Sequence, residues 1–272
     1  MKTVNVPSIR LSVLAAVLVV SLSGCSNLFT GNLFSGLDGP PSAGDITGRY
    51  VAADGSVPTD VAGDFVGDVE EAAESSRFFD DLSAGDRDDL SAALKDVYDN
   101  GAVDAETRQK AAILSGEVTL RDTPAGDTIN NVADVLTSSG GADSFENPET
   151  LLDQIIPADA KGDPAAVQAI LDDMVSAADA YNSLGGNLTD TDGDGSVDGP
   201  DGANMAETAQ RAAVSMIVAD LVGQTDSATL ADAIANDSVD TLALTDPTGD
   251  ATTGGTPLNN ILQAGGLDGL FE

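Results

Sequence analysis

Apolar residues recur along most of the chain at the three- and four-residue spacing of a helix face, whereas strand-type alternation is scarce. The clearest case is GDPAAVQAILDDMVSAADAYNSLGG, where we predict a helix that Asp163 caps, Pro164 opens and Gly185 and Gly186 end. Its apolar stripe comprises Val167, Ile170, Leu171, Met174, Val175, Ala178 and Tyr181. A second helix is predicted from about Asn204 to Leu221, with the stripe Met205, Ala209, Ala212, Met216 and Ile217.

Shorter helical patterns surround this pair. They are DVAGDFVGDVEEAAESS, RDDLSAALKDVYDN, DAETRQKAAILSG, DTINNVADVLTS, PETLLDQII and SATLADAIAN, and the C-terminal tail adds one weak helix after a loop. No repeat with a period of 20–50 residues indicates a solenoid. We therefore predict an all-α fold, an irregular bundle of short helices, as an acidic domain over residues 46–272.

The N-terminus has the features of an export signal. Residues 1–24 place Lys2 and Arg10 ahead of a short apolar run, as in a secretory signal peptide. The following LSGC, Leu22 to Cys25, resembles the lipobox of bacterial lipoproteins. That resemblance implies cleavage before Cys25, lipid on its thiol, palmitate included, and a lipid-anchored protein of the bacterial cell envelope. The alternative is an ordinary signal peptide with an incidental cysteine, the only one in the chain.

Residues 25–45 are rich in Gly, Pro and Ser, which is typical of a flexible tether between a membrane and a domain. Phe29, Leu33 and Phe34 are unusual in such a tether, and we expect them to contact either the lipid surface or the domain. Ser26 is compatible with sorting to the outer membrane, so the expected location is the outer membrane or the cell surface.

The charge is strongly negative, with 46 acidic and 11 basic residues. Removal of residues 1–24, which contain Lys2 and Arg10 but no acid, changes the net charge from −35 to −37. Such a chain lacks the basic face that nucleic-acid binding requires. An Asp-rich, Lys-poor composition resembles that of proteins from salt-loving organisms. Concentrated salt screens the repulsion between the many carboxylates of such a protein. An ordinary acidic exported protein that collects divalent cations is the alternative.

The segment TDTDGDGSVDGPDGA, Thr189 to Ala203, lies between the two best helices and alternates carboxylates with small residues. Its spacing matches the calcium loop of an EF-hand, with glycine at position 6 and an apolar residue at position 8. The predicted Ca²⁺ ligands are Asp190, Asp192, Asp194, the backbone carbonyl of Ser196, Asp198 and Asp201. We place the whole helix–loop–helix unit at about residues 164–222. The alternative is a solvated acidic loop.

Two features depart from a standard pair of EF-hands. Position 12 is Asp201 rather than Glu, which resembles the dockerin-type loop of bacterial EF-hands, although only one intact loop is present where dockerins carry two. The unusual Pro200 at position 11 can open the exiting helix. Residues 96–107 fit either a degenerate second hand, with Val103 pairing Val197, or a helix hairpin with Gly101 and Asp104 as caps.

Few catalytic classes remain for a chain without His or Trp whose one Cys is predicted to carry lipid. Ser–His–Asp and Cys–His catalysis and a His-ligated zinc site are excluded. We expect a non-catalytic calcium-binding lipoprotein that scaffolds or binds a protein partner. The alternative is a carboxylate-based hydrolase that uses the metal site. A calcium loop that lines a cleft of converging carboxylates would favour the hydrolase, and a loop on a convex surface would favour the scaffold.

Overall fold

Helices make up most of the described structure. The structure is a computed structural model that describes residues 41–121, 123–129, 147–191, 197–246 and 256–267. The α-helices with both ends in these ranges are α1 (Ala43–Tyr50), α2 (Ala62–Ala73), α3 (Ser76–Asp80), α4 (Ala84–Asp99), α5 (Ala105–Leu120), α6 (Pro148–Ile155), α7 (Pro164–Asn187), α8 (Met205–Gly223), α9 (Ser227–Ala235) and α10 (Pro257–Ala264). A 3₁₀ turn follows α9 at Val239–Leu242. No strand occurs in the described ranges, so the all-α prediction is confirmed.

The short helical patterns and the weak tail helix correspond to α2, α4, α5, α6, α9 and α10. The predicted segment at residues 127–138 lies largely outside the described residues, although residues 124–129 are helical. Helix α1 begins inside the range 25–45 assigned to the tether. Its first turn is fixed by a capping box, in which the Asp45 amide donates to Ser42 Oγ at 3.1 Å and the Ser42 amide donates to Asp45 Oδ2 at 3.3 Å.

Helix α7 begins as predicted but ends later. Asp163 Oδ1 accepts the amides of Ala165 and Ala166 at 3.1 and 3.3 Å, and Pro164 occupies the first helical position. The prediction that Gly185 and Gly186 end the helix is wrong, because α7 continues to Asn187. Neither glycine adopts the positive φ of a glycine cap. They lie in the last helical turn, where Gly185 is buried.

Helix α7 lies at the centre of the fold, in contact with α4 and α5 from the N-terminal half and with α8, α9 and α10 from the C-terminal half. Its stripe is wider than predicted, because Ala177, Ala180 and Leu184 are fully buried as well, whereas Val175 is half-buried. A helix enclosed on several sides buries more than one face. The same holds for α8, where Ala213, Val214, Ser215 and Val218 are buried and Met216 is only half-buried.

Helix α10, the last helix in the described ranges, packs closely against α7 and α8 at two glycines. A Cβ atom on Gly185 of α7 would lie 2.6 Å from the carbonyl carbon of Pro257, and Asn260 Nδ2 donates to the Gly185 carbonyl at 2.9 Å. A Cβ atom on Gly265, directly after α10, would lie 2.6 Å from the Cβ of Ala209 on α8. Because neither glycine carries a side chain, the backbone of α10 can approach α7 and α8 this closely.

Residues 96–107 form a helix hairpin. Helix α4 ends at Asp99 with Asn100 as its cap, in place of the expected Gly101, and Asp104 caps α5 by accepting the Thr107 amide at 2.9 Å. Asp96, the first position of the alternative calcium loop, accepts the Val57 amide at 2.8 Å. These acids hold the backbone, which agrees with the hairpin rather than with a degenerate hand.

Candidate calcium loop and the adjoining cleft

The predicted calcium loop occupies the connection between α7 and α8, but only its two ends are described. Asp190, Asp198 and Asp201 belong to the described residues, whereas Asp192, Asp194 and Ser196 lie outside them. Among the residues that the structure describes, no three His, Cys, Asp or Glu side chains form a group that could hold a metal ion. The three described acids therefore do not form such a group by themselves, and a complete ligand set needs the carboxylates at the loop centre.

The base of the loop is closed by backbone and side-chain hydrogen bonds. Thr189 and Asp198 form an isolated antiparallel bridge, in which the Asp198 amide donates to the Thr189 carbonyl at 3.0 Å. The amide of Thr191 donates to Asp198 Oδ2 at 2.8 Å, and the Thr191 hydroxyl donates to the same oxygen. These bonds place positions 1 and 9 of the predicted loop on adjacent antiparallel segments.

Helix α8 begins at Met205, with Asn204 accepting the Glu207 amide, as the predicted start at about Asn204 requires. Pro200 does not open this helix, although its position in the loop allowed that reading. Pro200 instead begins a turn in which its carbonyl accepts the Ala203 amide at 3.2 Å. Gly202 in this turn has φ of +82°, a conformation that glycine adopts without strain.

Helix α5 is bonded to both helices that flank the loop. At the end of α7, Arg108 Nη1 donates to the Asn187 side chain at 2.6 Å and Gln109 Nε2 donates to the Asn187 carbonyl at 2.8 Å. At the start of α8, Arg211 pairs with Glu117 of α5 and with Glu207, and the side chains of Arg211 and Glu117 are only 18% and 13% exposed. The two ends of the loop are therefore attached to one support.

A cleft of about 170 Å³ lies beside the loop, between α2, α3, α5 and the start of α8. Its apolar surface comes from Ala73, Phe79, Ile113, Leu114 and Ala203, and its acidic groups are Glu70, Glu74, Glu117, Asp201 and Glu207. Asp201, position 12 of the predicted loop, thus lines a cleft in which carboxylates converge. This is the arrangement that we expected of the hydrolase alternative rather than of a loop on a convex surface.

The carboxylates of the cleft differ in how well they are paired. Glu117 and Glu207 share Arg211, as described above. Glu70 is 20% exposed and has Lys110 Nζ at 3.9 Å, whereas the same Nζ lies 3.2 Å from Glu106. Burial raises the pKa of Glu70, and the attraction of Lys110 does not offset this effect. Glu70 is therefore an incompletely neutralised carboxylate in the cleft wall.

The cleft could not be predicted from the sequence. Glu70, Lys110 and Glu207 stand on three helices that are far apart in the chain, and each helix on its own has an ordinary charged face. Only the i,i+4 pairs Glu106–Lys110 and Glu207–Arg211 are visible as local spacings, and such pairs are common on exposed helices.

Comparison with protein-family models, curated proteins and solved structures finds no match for the chain. Within the described residues, no helix combines the length and apolar character that a membrane span requires.

Proposed function

We propose that this chain is an exported, lipid-anchored protein of the bacterial cell envelope, in which one calcium ion clamps the connection between α7 and α8. We favour a non-catalytic role, as a scaffold or as the receptor of a protein partner, although Asp201 lines the cleft, because the cleft acids Glu117 and Glu207 are paired with Arg211 and the chain has no His. The observation that carries the calcium part of the proposal is the closed loop base, where Thr189 and Asp198 pair beneath the acidic segment. A calcium loop of this spacing surrounds a hard cation with 6–8 oxygen ligands, which requires that the two ends of the loop lie side by side.

The ligand set is the one that the spacing predicts. It comprises the carboxylates of Asp190, Asp192, Asp194, Asp198 and Asp201 together with the backbone carbonyl of Ser196. Without a cation these five carboxylates repel one another, and Ca²⁺ removes that repulsion. Asp at position 12 is one methylene shorter than Glu, so we place the affinity at the weak end, about 10⁻⁴–10⁻³ M.

The clamp acts on stability rather than as a switch. The flanking helices are both attached to α5, through Asn187 and Arg211, so the ion would fix a connection whose two ends are held by the same helix. A ligand that binds only the folded state stabilises by about 2.7 kcal/mol at a hundredfold excess over Kd. This is a sizeable share of a typical net stability of about 5–15 kcal/mol.

The experiment that tests the clamp is calorimetric titration of the full-length chain in detergent with Ca²⁺, in wild type, Asp194→Ala and Asp179→Ala forms. Asp179 is an exposed acid of α7 outside the loop, so its variant controls for diffuse charge. We expect one site in wild type and Asp179→Ala, its loss in Asp194→Ala, and a chelator-sensitive melting temperature only where the site is present. Equal calcium binding by all three forms would mean that surface acidity holds the ion.

The hydrolase remains a second candidate because Asp201 lines the cleft together with Glu70 and Glu74. A pair of carboxyl groups, one protonated and one ionised, is the minimum for glycoside hydrolysis, and the raised pKa of Glu70 agrees with the protonated member. Calcium-dependent release of nitrophenol from a panel of nitrophenyl glycosides, abolished in Glu70→Gln, would establish this function. Absence of turnover across the panel would favour the non-catalytic proposal.

A further inference from the structure

The turn that joins α4 to α5 contains Asn100 and Gly101, the only asparagine–glycine pair in the chain. Asn100 is half-buried at the end of α4, and Gly101 is exposed. A Cβ atom on Gly101 would have no neighbouring atom within 4 Å, so the residue faces open space. Asparagine is a thermolabile residue, and its side-chain amide is most open to loss of ammonia where the next backbone nitrogen is unhindered.

The groups that would react at this turn are weakly held. Within the described structure, no acceptor takes the proton of the Gly101 amide, although the next two amides are both bonded. The Ala102 amide donates to Asn100 Oδ1 at 3.0 Å, and the Val103 amide donates to the Asn100 carbonyl at 3.0 Å. Asn100 Nδ2 has one long contact, 3.4 Å from Thr59 Oγ1. The backbone nitrogen after Asn100 is therefore available as a nucleophile, and the side-chain nitrogen can leave at little cost.

Attack by this nitrogen requires a local rearrangement of the turn. Asn100 has an extended ψ of 99°, and its backbone must rotate before the Gly101 nitrogen can reach Cγ of the side chain. The rotation opens the two turn bonds that Asn100 accepts, but it lies between α4, which ends at Asp99, and α5, which begins at Ala105. Gly101 has no side chain and follows the rotation without strain. An opening confined to an exposed turn costs far less than unfolding of either helix.

We propose that Asn100 is a site of spontaneous deamidation in which its own backbone takes part. The Gly101 nitrogen forms a bond to Asn100 Cγ, the bond from Cγ to Nδ2 breaks, and Nδ2 leaves as ammonia with the proton that the Gly101 nitrogen gives up. Water, the one co-reactant, then opens the succinimide ring. Hydrolysis at one ring carbonyl gives aspartate, and hydrolysis at the other gives isoaspartate. The proposal depends neither on calcium binding nor on the lipid anchor.

The conversion changes the connection between two packed helices. Either product adds a carboxylate next to the exposed Asp99 and removes the Nδ2 group that donates to Thr59. Isoaspartate also adds the side-chain carbon of residue 100 to the main chain, which displaces the carbonyl that accepts the Val103 amide. Helix α5 packs against α4 and α7, so an irreversible change at this turn alters the support of the central helix.

The test incubates the full-length chain in detergent and follows each asparagine by peptide mapping and mass spectrometry. Asn236 is the internal reference, because it is exposed at the end of α9 but is followed by Asp237, whose amide donates to the Ile234 carbonyl at 3.2 Å. We expect Asn100 to convert about tenfold faster than Asn236, since glycine leaves the attacking nitrogen unhindered. Conversion should be faster in mildly alkaline than in mildly acidic buffer, because the attacking amide must lose its proton.

Two variants and one product identify the route. Gly101→Ala should slow the conversion of Asn100 about tenfold, because a Cβ atom hinders the nitrogen and restricts the rotation. Gly67→Ala is the matched control, since a Cβ atom at either glycine would have no neighbour within 4 Å and both variants should fold. Its rate should stay within twofold of wild type. Isoaspartate at residue 100, detected by isoaspartyl methyltransferase labelling, is the expected product of the ring. Equal rates for Asn100 and Asn236, an unchanged rate in Gly101→Ala, or aspartate without isoaspartate would overturn the proposal.

Discussion

A Cβ atom on Gly116 would lie 2.6 Å from both Cζ and Oη of Tyr181, so the ring of Tyr181 fills the space that a side chain at residue 116 would need. Gly116 is on α5 and Tyr181 on α7, and both residues are buried. The contact lies where the two halves of the fold meet on the central helix. Burial raises the pKa of the Tyr181 hydroxyl, because the buried site disfavours the charged phenolate.

The first prediction follows from this contact. Gly116→Ala should lower the free energy of unfolding by about 1–3 kcal/mol, since the tyrosine ring or α5 must move to admit a methyl group. Gly67→Ala is the control, because Gly67 is exposed within α2 and a methyl group there would have no neighbouring atom within 4 Å. It should gain about 0.5–1 kcal/mol from helix propensity. Chemical denaturation measures both, and a gain in both variants would contradict the close contact.

The adjacent glycines of α7 provide a second and sharper comparison. Gly185→Ala should destabilise by about 1–3 kcal/mol, because its methyl group would meet the backbone of Pro257, which cannot rotate away. Gly186→Ala, one residue later with open space around it, should be neutral or stabilising by up to about 1 kcal/mol. Similar effects of the two substitutions on the denaturation midpoint would mean that α10 does not pack against α7 at this point.

The third prediction concerns pH. Burial raises the pKa of Asp173 on α7 to about 6, Arg87 of α4 partly offsets the rise, and Asp172 and Asp88 add to it. A carboxyl whose pKa is raised in the folded state stabilises the fold when protonated, and that contribution is lost as the pH rises through about 6. Asp173→Asn, which is neutral at every pH, should therefore exceed wild type in stability at pH ~8 by about 1–2 kcal/mol and match it near pH ~4.

The control for this prediction is Asp179→Asn. Asp179 is an exposed acid of the same helix that does not contribute to the raised pKa of Asp173, so its substitution relieves general repulsion without removing a buried carboxylate. Its effect should be under about 0.5 kcal/mol. As the pH falls, the free energy of unfolding of Asp173→Asn should approach that of wild type, whereas the difference between the control and wild type should stay small throughout. Parallel curves for the two variants would contradict the raised pKa of Asp173.

The fourth prediction concerns salt. With 46 acidic residues against 11 basic ones, the folded chain repels itself, and screening should relieve this repulsion. At fixed calcium, the melting temperature should rise between about 0.1 and 1 M NaCl, where the Debye length falls from about 10 to about 3 Å. KCl at equal ionic strength should have the same effect. A melting temperature that does not change with salt would argue against charge repulsion as a dominant destabilising term.

The fifth prediction concerns the anchor. Wild type expressed in a bacterial host should enter the detergent phase on cloud-point partitioning, whereas Cys25→Ser should accumulate as precursor or appear in the aqueous phase. The reason is that LSGC ends at the only thiol in the chain. Ser26→Ala, which keeps that thiol, should partition as wild type does. Detergent-phase partitioning of mature Cys25→Ser would show that lipid on this residue is not the anchor.

Local signals predict most of the helices, although not α1 and α3, and they do not predict how the helices pack. Asp163 and Pro164 set the start of α7 through bonds within a few residues, so the sequence predicts that start correctly. Gly185 resembles a helix end because glycine favours such positions, yet its role depends on Pro257, which is 72 residues later. A close approach between distant helices leaves no periodic trace in the sequence of either helix.

The calcium loop could be predicted from the sequence, whereas the cleft could not. The calcium loop is a local pattern, so its six predicted ligands can be read directly from alternate positions. The cleft depends on the packing of α2, α5 and α8, which places Glu70 within 3.9 Å of Lys110 across 40 residues of chain. In a chain with this many acids, no sequence feature distinguishes Glu70 from its exposed neighbour Glu71.

The central position of α7 has a consequence for the order in which the chain can fold during synthesis. Helices α4 and α5 emerge before α7, but α8, α9 and α10 follow it, and α10 ends only at Ala264. A nascent chain that has completed α7 therefore still exposes the apolar surface that the later helices cover. The surfaces of α7 and α8 that α10 covers therefore stay exposed until residues 257–264 have left the ribosome.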